Sequence, residues 1–309
     1  MNSFDLNGML PAAILPMNAD YEPDFEAYGR YIEWLINENA IALAVNMDTG
    51  EGPQLTVDER RRVVETAVET SNGRCPVVAG VMGSTTAGAV DMANVYKDAG
   101  ADGLVVFPNA GFRNEPLDPR IPYSYHKTIA SETGLPMILF QLAPVFGGVN
   151  YSRETLLRML EIPEVVAIKE ASFDPGYFAY TKETLDIAGR DITLLTGNDR
   201  FITESILLGA TGALLGFAAI GCGMVADMLA AANSGKWKQV ADMRPCLHTF
   251  ASVIYKDPVL DYRARCKAAL AYIGVIERSQ IYVRPPLLTV EDDEYAVIGE
   301  ALVQAGMAP

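Results

Sequence analysis

Eight short, largely apolar runs, each followed by a stretch long enough to hold a helix, constrain this chain's fold more than any other feature. They lie at 9–15, 41–47, 76–81, 103–107, 136–140, 165–169, 192–196 and 212–215. A strand with one wet face alternates apolar and polar residues. These runs do not alternate, so each reads as a strand of a parallel sheet covered on both faces. The segments between them carry helix punctuation. Thr56-Val57-Asp58-Glu59 is a capping box. Asp174-Pro175 places a cap residue before a proline at the first helical position. Asn198-Asp199 precedes the periodic Ile202, Ile206 and Leu207, and Gly100, Gly134, Gly189 and Gly209 mark helix ends.

Eight such units predict an α/β protein, a (β/α)8 TIM barrel with additional C-terminal helices at 236–253, 258–276 and 291–305. A doubly wound sheet would suit the same alternation, but no Gly-x-Gly-x-x-Gly follows the first strand. No Pro- or Ser-rich linker divides the chain. Residues 1–222, the barrel, and 223–309, its last helix and the helical extension, are expected to pack as one unit.

The formal charge of −15 argues against nucleic acid and anionic membrane surfaces as partners. Met1-Asn2-Ser3-Phe4-Asp5 shows no basic segment leading into an apolar one, so no signal peptide is visible. The apolar stretch 212–232 is broken by Gly216, Gly221, Gly223 and Asp227 and reads as strand, turn and helix, not a membrane span. Cys75, Cys222, Cys246 and Cys266 are scattered and read as reduced thiols of a cytoplasmic protein. With His126 and His248 the only histidines, no metal site is expected.

Barrels of this kind do their chemistry at the C-terminal ends of their strands. There the chain offers Asp48-Thr49-Gly50-Glu51, the segment from Pro108 to Arg113, Phe140-Gln141, Lys169, Gly197-Asn198-Asp199-Arg200 and the segment from Gly216 to Ala219. Lys169 stands out. It closes the run Val165-Val166-Ala167-Ile168, and a long amine there is costly unless paired, exposed or employed. Desolvation lowers an amine's pKa, and a neutral amine attacks carbonyls to form a Schiff base. The bland reading is a lysine that snorkels to solvent; a place in a barrel mouth favours the functional one.

Several segments, in order and spacing, resemble the dihydrodipicolinate synthase and N-acetylneuraminate lyase superfamily of Schiff-base aldolases. They are Ala13-Ile14-Leu15-Pro16-Met17, Thr49-Gly50-Glu51, the strand from Val166 to Ser172, Leu195 to Asp199, Gly209 to Leu214, and Val283-Arg284-Pro285-Pro286-Leu287. The resemblance implies a lyase, aldolase or hydratase-aldolase on a 2-oxo acid such as pyruvate or a sugar-derived 2-keto acid, with an aldehyde partner. It implies Lys169 as the imine-forming residue, no cofactor beyond that covalent imine, and a homo-oligomer, dimer or tetramer. It also implies a substrate carboxylate held by backbone N–H groups and the hydroxyl around Thr49 and Gly50, with the backbone near Leu214 opposite. Phe140, Gly197, Asn198 and Arg200 are the remaining expected substrate contacts.

The departures carry information too. Met47 and Asp48 replace a glycine and the first threonine of the family's signature. Phe140 stands where the family has a proton-carrying tyrosine, Gln141 replaces an asparagine, and no arginine lies between Leu142 and Val149. Asn109-Ala110-Gly111 occupies the place of a tyrosine donated to a neighbouring subunit. These changes argue against lysine-pathway dihydrodipicolinate synthesis and against sialic acid cleavage. Asp48 is the expected substitute proton carrier, its carboxyl raised by a second carboxylate and by Phe140; the alternative is an Asp that only caps its turn. Arg113 and Arg200 are candidates for binding a remote carboxylate or hydroxyl by a forked contact; the alternative, the commoner one for either taken singly, is a solvated surface arginine. A dehydratase is a close variant, since the same enamine can expel a β-hydroxyl. The other class left open is a non-catalytic 2-oxo acid-binding or regulatory protein on this scaffold. A kinase-like use of Val166-Ala167-Ile168-Lys169 fails for want of an upstream glycine-rich loop.

Overall fold

The computed structural model describes residues 4–113 and 117–308, so the leader reading over Met1–Ser3 lies outside the described residues. Eight parallel strands form: β1 (Met9–Pro11), β2 (Leu43–Val45), β3 (Val77–Val81), β4 (Gly103–Val106), β5 (Met137–Leu142), β6 (Val165–Ala171), β7 (Thr193–Thr196) and β8 (Gly212–Leu215). Each pairs with the next in sequence except that β1 pairs with β8. Ala12 bridges Ala44, and the Ala13 N–H donates to the Ala44 carbonyl at 2.9 Å, which closes the cylinder. The protein is therefore a (β/α)8 barrel, as its apolar runs predict.

Helices alternate with the strands: α1 (Phe25–Asn37), α2 (Val57–Ser71), α3 (Thr86–Asp98), α4 (Arg120–Thr133), α5 (Arg153–Met159), α6 (Pro175–Ala188), α7 (Ile202–Leu207) and α8 (Ala218–Asn233). Then come α9 (Trp237–Ile254), α10 (Tyr262–Tyr272) and α11 (Asp292–Gln304). Thr56 and Glu59 form both halves of the expected capping box of α2, and Asp174 caps α6. No helix among the described residues is long and apolar enough to cross a membrane.

Several boundaries differ from the sequence reading. The first two strands are shorter than their apolar runs. The sixth does not stop at Lys169 but pairs with β5 as far as Ala171 opposite Leu142. It continues because Glu170 is satisfied from the side, with Asn198 Nδ2 at 2.7 Å from one carboxylate oxygen and the Ser172 N–H at 3.0 Å from the other. Finally, Asn198 and Asp199 do not cap α7, whose first turn lacks a side-chain cap.

The core has two layers, as a covered barrel requires. Outside the cylinder, residues such as Val165 and Ile168 pack against the helices. Inside it, Leu10, Ala44, Val105, Ile138, Ala167 and Leu195 fill the lumen. Strand side chains alternate sides with a period of two. With Ala167 and Ala171 facing the lumen, Lys169 must face it too, and Glu170 must face out.

Candidate active site

The lumen opens at the C-terminal end of the strands into a cavity of about 720 Å³ that contains Lys169 on its floor. The cavity has two unlike walls. One is polar: Asp48, Thr49, Asp199, Tyr255, Tyr262 and Arg263. The other is apolar: Phe107, Phe140, Leu142, Val145, Phe146 and Phe173.

Lys169 is only 8 % exposed. Its Nζ lies 4.3 Å from the centre of the Phe140 ring, the residue paired with it across the β5–β6 ladder. Phe140 is itself braced edge-on by Phe107, with ring centres 4.8 Å apart. Burial is the largest influence on the amine and brings its pKa down to about 8, while the charges of Asp199 and Asp48 pull the other way. Gly197 makes room for the side chain: a Cβ there would come 2.7 Å from Lys169 Cε.

The Thr49–Gly50 turn, with Thr49 on the same cavity, is closely packed against the first strand's end. A side chain on Gly50 would meet the Ala13 carbonyl at 2.6 Å, so only glycine fits. The N–H groups of Thr49 and Gly50 meet no acceptor among the described residues, and Thr49 Oγ1 shares a 3.2 Å hydrogen bond with the Tyr262 hydroxyl. The turn therefore keeps two adjacent N–H donors unspent. Its anchor is Glu51, whose carboxylate is fully buried against Lys267 Nζ of α10 at 2.5 Å and accepts the Arg284 N–H at 2.8 Å. Thr49-Gly50-Glu51 and Val283-Arg284-Pro285 thus meet in space, tied by the hydrogen bond from the Arg284 N–H to Glu51. Glu51→Gln would leave the Lys267 ammonium buried without its counter-charge. The expected loss is about 3–5 kcal/mol of stability, read by urea unfolding; a loss under about 1 kcal/mol would show that the pair is not an anchor.

Asp199 is the group that sequence reasoning placed but did not use. It is nearly buried, and desolvation pushes its carboxyl up to about 6 against the opposing pull of Lys169. Its Oδ1 accepts the Phe217 N–H at 2.8 Å, so it caps the start of α8 rather than α7. The Tyr255 hydroxyl is close enough to influence this carboxyl but makes no hydrogen bond of normal length and angle to it. The signal was present in the sequence, a carboxylate just past a strand end, but it is indistinguishable there from a helix cap. Tyr255, Tyr262 and Arg263 left no comparable signal; the C-terminal helices bring them from more than 200 residues beyond Thr49.

Other expected residues stand elsewhere. Asp48 does line the cavity, but its side chain is 47 % exposed and ion-paired to Arg263, which is 4 % exposed. Arg263 also donates Nε to the Asp48 carbonyl at 2.7 Å. The expected apolar, like-charged setting for Asp48 is therefore corrected: a buried guanidinium claims it. Asn198 is turned away from the cavity, its amide split between Glu170 and the Phe173 N–H, the latter at 2.8 Å. Arg200 donates to the Tyr255 carbonyl at 2.7 Å and pairs with Asp257, bracing the rim instead of reaching substrate. Arg113 is an exposed residue packed against Gly147, outside the cavity lining. Leu214 points into the lumen core, and Gly216 takes the cavity wall at the end of β8. Gln141 is buried between Thr181 and the Tyr151 N–H. In each case the side chain's direction depended on its partners in the folded chain.

An amine desolvated at the catalytic end of a parallel barrel, next to a turn of unspent N–H donors, is the arrangement of a class I aldolase. The chain belongs to the dihydrodipicolinate synthetase family, whose profile matches residues 5–305. It is 28% identical over 307 residues to a 4-hydroxy-tetrahydrodipicolinate synthase of Gluconacetobacter diazotrophicus, covering 99% of both chains. It is 30% identical over 304 residues to the enzyme of that name from Mesorhizobium japonicum, covering 98% of this chain and 99% of that one. Among solved structures, a monomeric dihydrodipicolinate synthase variant superposes with a TM-score of 0.89 at 24% identity, over 99% of this chain and 98% of that one. Enzymes of this family are lyases that work through a covalent Schiff base on a lysine and need no external cofactor.

Proposed function

We propose that this chain is a lyase or aldolase acting on a 2-oxo acid through an imine on Lys169. The observation that carries the reading is the buried Lys169 amine, with its pKa lowered to about 8, facing a cavity beside the Thr49–Gly50 turn. The substrate carboxylate is held by the free N–H groups of that turn and the Thr49 hydroxyl. Lys169 Nζ adds to the 2-oxo carbon, and loss of water gives an iminium. For a 4-hydroxy-2-oxo acid, a base takes the 4-hydroxyl proton and the C3–C4 bond breaks. Its electron pair moves to C3 as an enamine, and an aldehyde leaves. Protonation of C3 and hydrolysis of the iminium release pyruvate and free the lysine. Loss of a C-3 proton from the iminium instead gives an enamine, and expulsion of the 4-hydroxyl from it as water would give the dehydratase variant.

The proton carrier in this reading is Asp199. Phe140 has no exchangeable proton, and Asp48 is held by Arg263, whereas a carboxyl near pH 6 on the same wall as Lys169 can accept and return a proton at neutral pH. The loss of the strand 5 tyrosine supports the non-catalytic alternative; Asp199 supports catalysis. Assembly into a dimer or tetramer belongs to this proposal and rests on the family. Incubation with pyruvate and borohydride, followed by mass mapping, tests it: the expected result is one reduced pyruvyl adduct on Lys169. No adduct with pyruvate or longer 2-oxo acids would favour the binding protein.

A further inference from the structure

The apolar wall of the cavity is unusual for a site expected to handle a polar partner. Phe107 and Phe140 form one edge-to-face pair at 4.8 Å, and Phe146 and Phe173 form a second at 5.1 Å. Leu142 lines the same cavity, as do Val145 and Phe146, which stand 83 % and 41 % exposed on the short turn after β5. Large apolar side chains so exposed mark a surface that expects company. Phe173 adds a second, independent observation. Its backbone is left-handed, with φ of +57°, a conformation costly for an aromatic residue. The Asn198 amide oxygen holds it there through the Phe173 N–H. The buried Asn198 thus uses its amide oxygen to fix Phe173, a ring that lines the cavity, and its amide nitrogen to hold Glu170.

Charge points the same way. Among the described residues lining the cavity, the cations are Lys169, which forms the imine, and Arg263, which Asp48 already claims. The other ionised groups there are the carboxylates Asp48, Asp199 and Asp257. A carboxylate at the far end of a substrate would meet no free positive group, and an unpaired buried charge is costly.

We propose that the subsite beyond Lys169 takes an uncharged apolar group, aryl or branched alkyl, so that the substrate is a 2-oxo acid with an apolar tail and its aldehyde fragment is apolar. This rests on the Lys169 imine reading and narrows it to a substrate class. The apolar group lies against Phe140, Phe146 and Phe173. The reacting C3–C4 bond sits between that wall and Asp199. No residue on the apolar side exchanges a proton, so proton traffic is confined to the polar wall.

Borohydride trapping at graded concentrations of three 2-oxo acids tests it: pyruvate, 2-oxo-4-phenylbutanoate and 2-oxoglutarate. The half-saturating concentration for the phenyl compound is expected at least about tenfold below that for 2-oxoglutarate, the size of effect an apolar pocket gives. Phe146→Ser, on the exposed turn, is expected to raise the phenyl compound's value about fivefold more than pyruvate's. The proposal is overturned if 2-oxoglutarate binds as well as the phenyl compound, or if Phe146→Ser shifts the phenyl compound no more than pyruvate. Adducts with pyruvate alone would sink this subsite and leave the imine reading standing. No adduct with any of the three would sink the imine reading itself.

Discussion

Lys169→Met is expected to remove the borohydride-trapped adduct entirely and to lower turnover by at least about 10⁴-fold, the scale on which a lost nucleophile acts. Methionine keeps most of the side chain's length and apolar volume, so the packing of Lys169 Cε against Gly197 is largely preserved. It also removes an amine whose charged form is penalised by burial. The melting temperature is accordingly expected to hold or rise, which separates lost chemistry from lost structure. Turnover within about tenfold of the wild type, with the fold intact, would show that no covalent step runs through this nitrogen.

Asp199→Asn is expected to cost about 10²–10⁴ in kcat, the range of a positioned acid–base group. The replacement keeps an oxygen to accept the Phe217 N–H, so α8 retains its cap. A second readout separates proton transfer from support. The Asp199 charge favours the Lys169 ammonium and so raises that amine's pKa; burial, the larger influence, lowers it to about 8. In the wild type, adduct formation at low pyruvate should rise about tenfold per pH unit until about pH 8 and then level off. Without the carboxylate the ammonium loses a partner, so the plateau should begin at lower pH even as turnover falls. A residue with a merely structural role would leave that midpoint unmoved. Asp48→Asn is the control: with Arg263 holding the turn through the Asp48 carbonyl, its cost is expected to be under about tenfold. A larger loss in Asp48→Asn than in Asp199→Asn would reassign the proton to Asp48.

The two carboxylates show where sequence reasoning stopped. Asp48 was singled out because it stands in a familiar motif, and its neighbourhood was judged from adjacent residues. Its actual partner, Arg263, is 215 positions away. Asp199 was visible at the end of β7 but resembled a helix cap, and it is one, for the helix that begins after β8. Asn198 and Arg200 follow the seventh strand, where the resemblance implies substrate contacts; in the fold one holds Phe173 and the other braces the Tyr255–Asp257 segment.

A closed parallel barrel with Lys169 at its mouth could be read from the chain, because burial on both faces of a strand is written in its own residues and such barrels hold their sites at the strand ends. That Lys169 turns into the lumen followed only once Ala167 and Ala171 were seen to line it. The tertiary structure alone decided which carboxylate serves the amine, which cation is already spent, and which wall of the cavity is apolar. Hydrogen bonds and charge interactions depend on distances of a few ångströms between segments that the chain order leaves hundreds of residues apart.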